Sequence, residues 1–170
     1  MNDPYVRAHM DVAAFPIPLI FTFHELISGN GYVAAVSITG RALWDIEDGE
    51  EWFYGVQPGG IAGGGANHAA ACRDFKISYT SVLFDIAAEA PDFASFAAEV
   101  RAFFHQINEP NAEQWETALA RMKDRAEGPD GLKVVSASKH PPAISVEMVS
   151  LTTASPRTNA FDDVDLAKVA

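Results

Sequence analysis

From Leu19 onward, Leu19, Phe21, Phe23 and Ile27 keep one parity while Thr22 and His24 take the other, the period of a half-buried strand. Gly29-Asn30-Gly31 follows, and its Asn-Gly pair suits a type I′ turn. Alternation resumes at Tyr32, Ala34, Val36 and Ile38 and the apolar trend continues to Leu43, Trp44 and Ile46, with Gly40 read as a bulge or bend inside one long strand. The short charged cluster Glu47-Asp48-Gly49-Glu50 closes a second hairpin into Trp52-Phe53-Tyr54-Gly55-Val56. Three consecutive antiparallel strands are predicted.

The period then changes. Pro58 to Gly65 holds five glycines in eight residues, and their backbone entropy argues for a loop. Behind it Asn67 is placed to cap a helix whose apolar stripe runs Cys72, Phe75, Tyr79, Val82, Leu83 and Ile86. Pro91 stops that helix and Asp92 caps the next, with Phe93, Phe96, Ala97, Val100, Phe103 or Phe104, and Ile107 as its stripe. Pro110 is expected to end the second helix, and Asn111 with Gln114 resembles the capping box of a third, bearing Trp115, Leu119 and Met122. Gly128-Pro129-Asp130-Gly131 breaks the chain, after which Leu132 to Ala137 and Ala143 to Leu151 alternate as strands. The order predicts an α+β fold: an antiparallel sheet of three N-terminal and two C-terminal strands packed by about three helices. Residues 1–18 read as an N-terminal segment, 19–153 as one domain and 154–170 as a flexible acidic tail.

Composition narrows the function classes. Among 170 residues, 12 Lys and Arg face 23 Asp and Glu, so the net charge of −11 opposes a nucleic-acid backbone and suits a basic protein partner. With 48% of residues apolar, the chain can build its core without disulfide or metal. The single cysteine, Cys72, points to a reducing compartment, and no apolar run reaches the roughly 18 residues a spanning helix needs. A cytoplasmic protein without membrane contact is expected.

Few constellations carry chemistry. No two of the five histidines have a spacing that would place a metal on one helical face, and no cofactor fingerprint is present, so no metal, cofactor or catalytic residue is assigned. The glycine segment lacks the Gly-Lys-Ser/Thr ending of a phosphate loop. Still, Gly59, Gly60, Gly63, Gly64 and Gly65 with Asn67 and His68 could form a ligand loop at the start of a helix. A small enzyme or ligand-binding protein with its pocket between that loop, His68 and the sheet is the alternative reading. It depends on His68 or on Cys72, which the stripe places as a buried, inert thiol. The other concentration is acidic and aromatic: Asp45, Glu47, Asp48, Glu50 and Glu51, flanked by Trp44 and Trp52, suited to a cationic protein surface. The Phe-rich second helix is core first and a homodimer interface second.

The segment from Asp45 to Gly64 and the helix behind it resemble the HicB-like antitoxin family, which shows an acidic hairpin turn, a strand ending in Pro-Gly, another glycine and then a helix. Pro58-Gly59 and Gly63 or Gly64 match, with Ala69, Ala70, Phe75 and Leu83 as the packing face; the resemblance covers Trp44 to Ala88. It departs where Asn67-His68-Ala69 replaces acidic residues at the helix start and where two further helices precede Leu132. The segment beyond Gly131 matches no DNA-binding unit of that family, so operator binding is not carried over. The resemblance implies a three-strand-plus-helix core and a non-catalytic module that neutralises a basic RNA-cleaving toxin.

Overall fold

The computed structural model describes residues 15–122 and 135–150. Its elements run β1 (Ile17–Ser28), β2 (Val33–Glu47), β3 (Glu50–Gln57), β4 (Ala62–Gly65), α1 (His68–Glu89), α2 (Phe93–Phe104), α3 (Glu109–Met122) and, after a 3-10 turn at Ala137–Lys139, β5 (Ala143–Met148). Every pairing is antiparallel, and β2 is the organising strand. β1 lines one edge of β2 from Val33 to Trp44. The other edge is shared: β5 takes Ala34–Thr39 and β3 takes Arg41–Glu47, with β4 added outside β3. The α+β architecture expected from the element order is what the chain adopts.

Alternation decides which side chains enter the core. Ala34, Val36, Ile38, Ala42 and Trp44 are buried on one face of β2, under α1 and α2. α1 meets that face with Ala71, Phe75, Tyr79, Leu83 and Ala87, an i, i+4 stripe; α2 adds Phe96, Val100, Phe103 and Phe104. Each large side chain removed from water in this way contributes about 1.5–3 kcal/mol before entropy is counted. The aromatic area of α2 is thus turned inward, with Phe93 also packed against the core. On the opposite face Leu43 and Val56 bury the Trp115 indole, so α3 covers a second, smaller cluster with Ile20, Tyr54 and Leu119 around it.

Several local expectations are corrected. The glycine segment is not all loop: Ala62–Gly65 forms β4 and pairs with Glu51–Tyr54. Backbone entropy disfavours a strand there, but the missing side chains let α1 lie directly on it. A Cβ at Gly63 would stand 2.1 Å from the Phe75 nitrogen, and one at Gly65 2.6 Å from the Ala70 Cβ. The first hairpin is joined by residues 29–32, closed by Gly29 N–H donating to the Tyr32 carbonyl (3.0 Å); only Gly31 has positive φ, so the turn is not type I′. The bulge lies on β3 at Val56, opposite Arg41 and Ala42, while Gly40 makes room for the Phe21 ring and the Gln57 carbonyl. α2 ends at Phe104, before Pro110, and Asn108 replaces Asn111 as the cap of α3, its Oδ1 accepting from Asn111 N–H (3.1 Å). Pro110 sits in the first turn of α3, where a missing N–H breaks no helical bond. Of the two C-terminal strands, the second is β5. Val135 and Ser136 of the first are not strand and Ala137 enters the 3-10 turn, while 132–134 lie outside the described residues. β1 begins at Ile17, inside the expected N-terminal segment; residues 1–14 of that segment and the tail at 154–170 also lie outside.

The other two caps follow the sequence. Asn67 Oδ1 accepts from Ala70 N–H (3.0 Å) and Asp92 Oδ1 from Ser95 N–H (2.8 Å). The backbone and side chain of Ser95 hold the Asp92 carboxyl below its ordinary 3.8. A value lower in the folded than in the unfolded chain gives stability that is complete above the unfolded pKa and lost as pH falls through the folded one. Asp92→Asn keeps the cap without the titration. Wild type is therefore expected to lose thermal stability relative to Asp92→Asn below about pH 4, with a constant difference between about pH 5 and 7. Melting curves across that range check this, and a difference unchanged in acid would contradict it.

Candidate functional site

The β2–β3 hairpin distributes its acidic and aromatic residues onto two faces. Asp48 (φ 51°) and Gly49 (φ 82°) are the two central residues of a type I′ turn, which fixes Glu47 opposite Glu50. From that register Ile46 faces Glu51, Asp45 faces Trp52, Trp44 faces Phe53 and Leu43 faces Tyr54. Trp44, Phe53 and Glu51 consequently turn toward α1. Asp45, Glu47, Glu50, Trp52 and Tyr54 share the other face.

On that outer face the rings of Trp52 and Tyr54 are parallel to within 8°, with centroids 5.9 Å apart. The Trp52 indole lies against β4 at Gly64, where a Cβ would come within 2.8 Å of three ring atoms. The Tyr54 hydroxyl donates to Glu47 Oε1 (2.9 Å). Burial first, and then that bond and the Glu47 and Asp45 charges, push the phenol up to about 12, so it remains a donor at neutral pH. The chain has no Lys or Arg between Arg41 and Arg73. Among the described residues, neither Asp45, Glu47, Asp48 nor Glu50 has a basic side chain in ion-pair range. The nearest cation along the strand, Arg41, lies over the Trp115 ring with its guanidinium carbon 4.5 Å from the centroid. The result is an aromatic pair rimmed by uncompensated carboxylates.

The inner face is closed by the start of α1. Trp44, expected beside Trp52 as an aromatic anchor for a partner, is 6% exposed and belongs to the core. The His68 ring stands edge-on to Trp44 (4.4 Å) and Phe53 (5.2 Å) and brings Nδ1 within 3.6 Å of Glu51 Oε2. At that distance the two form an ion pair only when the imidazole is protonated, not a hydrogen bond. Glu51 is therefore separated from the other hairpin acids and faces His68. The glycines expected to line a ligand loop have their open sides occupied by protein: Gly59 by Asn108, Gly63 and Gly65 by α1, Gly64 by Trp52. Gly60 alone of the five has no atom within 3.7 Å of a would-be Cβ. The Gly59 N–H donates to the Gln106 carbonyl (2.8 Å) and the Gly64 N–H to Asp74 Oδ2 (3.0 Å), and Asn67 is engaged as the cap.

Cys72 is exposed, contrary to its expected place on the apolar stripe. The buried position in that turn belongs to Ala71, which continues the i, i+4 series to Phe75. Two polar features escaped the sequence reading. Glu25 lies on the core parity of β1 with Phe23 and Ile27, where Lys76 Nζ meets it at 3.1 Å, and Tyr79 beneath has its hydroxyl raised by burial and then by Glu25. On the part of the outer sheet face away from α3, His24 Nδ1 and Ser37 Oγ are 2.8 Å apart and Thr22 pairs with Thr39. Ser37 sits in a strand paired on both edges. Tyr54 was also left out of the site; the Trp-x-Tyr spacing on a strand was the signal that both rings share a face.

Among the described residues no group of three or more His, Cys, Asp or Glu is placed to hold a metal, and no helix is long and apolar enough to cross a membrane. No family model matches the chain, and neither a curated protein nor a solved structure matches it.

Proposed function

We propose that the chain is a non-catalytic interaction module that captures a cationic protein on the outer face of the β2–β3 hairpin. The observation that carries this reading is the parallel Trp52–Tyr54 pair set among Asp45, Glu47 and Glu50, without a basic partner among the described residues. Exposed ion pairs alone are worth only about 0.2–1 kcal/mol each. Aromatic anchors at the centre of such a patch supply the area and desolvation that isolated charges lack. The narrower form of the proposal, antitoxin-like neutralisation of a basic RNA-cleaving toxin in the cytoplasm, is supported by the hairpin and Pro-Gly resemblance, the net charge of −11 and the lone cysteine.

A cationic probe will feel any polyanion, so the test must hold total charge constant. Asp45→Asn with Glu47→Gln and Glu50→Gln neutralises the hairpin; Asp85→Asn with Glu89→Gln and Glu99→Gln neutralises the far part of α1 and a position on α2. Each set removes three negative charges, taking −11 to −8. Binding of a fluorescent peptide carrying both lysines and arginines is followed by anisotropy. The hairpin set should weaken it about tenfold and the distal set hardly at all. Equal weakening by both sets, or no binding to wild type, would overturn the proposal.

A further inference from the structure

Resting on that reading, we propose that the side chain captured by the hairpin is arginine rather than lysine, with a guanidinium lying on the Trp52–Tyr54 platform. The two rings lie parallel to within 8°, offering flat π surface to a flat cation. A guanidinium stacked there keeps its N–H groups in the plane, pointing past the ring edges. Carboxylates flank the pair: Asp45 directly across the ladder from Trp52, with Oδ1 accepting from the Ile46 N–H (2.8 Å), and Glu47, which has committed Oε1 to the Tyr54 hydroxyl; each keeps a second oxygen for another donor. Stacking and charge-assisted hydrogen bonding are thus available to one group at once. An ammonium has no plane to stack and holds its hydration more tightly, so it gains the charge attraction without the platform.

The molecule already sets one guanidinium on an indole of this face. Arg41 places its guanidinium carbon 4.5 Å from the centroid of the Trp115 indole, on the same face of the sheet as Trp52. Lys76 stands 5.7 Å from the Phe23 ring and directs its ammonium to Glu25 at 3.1 Å. The platform also has a positioning device. The indole rests where any side chain at residue 64 would be, so Gly64 sets the height of Trp52 above β4.

The experiment compares two peptides identical except that one carries three arginines and the other three lysines, titrated against the full chain at fixed ionic strength. The arginine peptide is expected to bind about tenfold more tightly. In Trp52→Leu, which keeps apolar bulk but removes the π face, binding persists and the preference disappears; circular dichroism verifies the fold. Equal affinity of the two peptides for wild type overturns the arginine assignment and leaves the interaction surface standing. Failure of both to bind removes the surface itself. A preference that survives in Trp52→Leu also overturns the assignment, because the platform would not be its source.

Discussion

Gly63→Ala is expected to destabilise the chain by about 3 kcal/mol or more, although it adds a single methyl group. Gly63 does not have the positive φ of Gly31 and Gly49, so backbone strain is not the cause. The cause is proximity: the new Cβ would lie 2.1 Å from the Phe75 nitrogen, 2.4 Å from its Cα and 2.7 Å from the Asp74 carbonyl carbon. These are helix backbone atoms, which cannot rotate aside as a side-chain tip can. Relief requires α1 to lift from β4, which loosens Phe75 from the core and draws Asp74 from the Gly64 N–H it caps. Gly60→Ala provides the contrast, since its Cβ would find nothing closer than 3.8 Å. That variant should be neutral or gain up to about 0.5 kcal/mol through a less flexible unfolded chain. Urea unfolding of the pair measures both. A Gly63→Ala protein as stable as wild type would contradict the helix-on-strand packing.

Phe75→Ala should be comparably severe, about 3–5 kcal/mol. The ring is 3% exposed and lies edge-on to Phe21 (5.2 Å, 90°), with Phe23 and Phe53 near 6 Å. Four aromatic residues from β1, β3 and α1 meet there, so truncation leaves a cavity that no single element can close by moving. Phe84 lies on the same helix and is 51% exposed; Phe84→Ala should change stability by no more than about 0.5 kcal/mol. Against a typical domain stability of about 5–15 kcal/mol, the first substitution consumes a large share and the second almost none. Comparable losses in the two variants would mean that α1 presents a different face to the sheet.

How much of this was legible in the sequence depended on how local the cause was. The hairpin at Asp48-Gly49 was readable because two residues with positive φ between alternating segments have few other uses. Once that loop is two residues long, the register follows, and it places Asp45 rather than Trp44 opposite Trp52. Grouping Trp44 with Trp52 counted neighbours along the chain where the pleat separates them across the sheet. Cys72 and Ala71 show a similar limit: spacings of three and four allow either as the start of the stripe, and only contact with β4 selects Ala71. The glycine strand was illegible for a different reason. Its stability comes from α1 resting on it, a tertiary contact that composition cannot express. The pairing of β5 with β2 brings together residues more than a hundred positions apart, and neither strand carries a mark of its partner.

The central claim, that the outer hairpin face receives the cation, can be read from three signals. The chain has three tryptophans, and each indole N–H gives one cross-peak in a proton–nitrogen correlation spectrum. Trp44 and Trp115 are 6% and 2% exposed, in the two core clusters, while Trp52 is half-buried on the outer face beside Tyr54. Titration of the labelled protein with the arginine peptide should move the Trp52 signal progressively and saturably, leaving those of Trp44 and Trp115 in place. A Trp52 signal that stays fixed while the peptide binds would contradict the account.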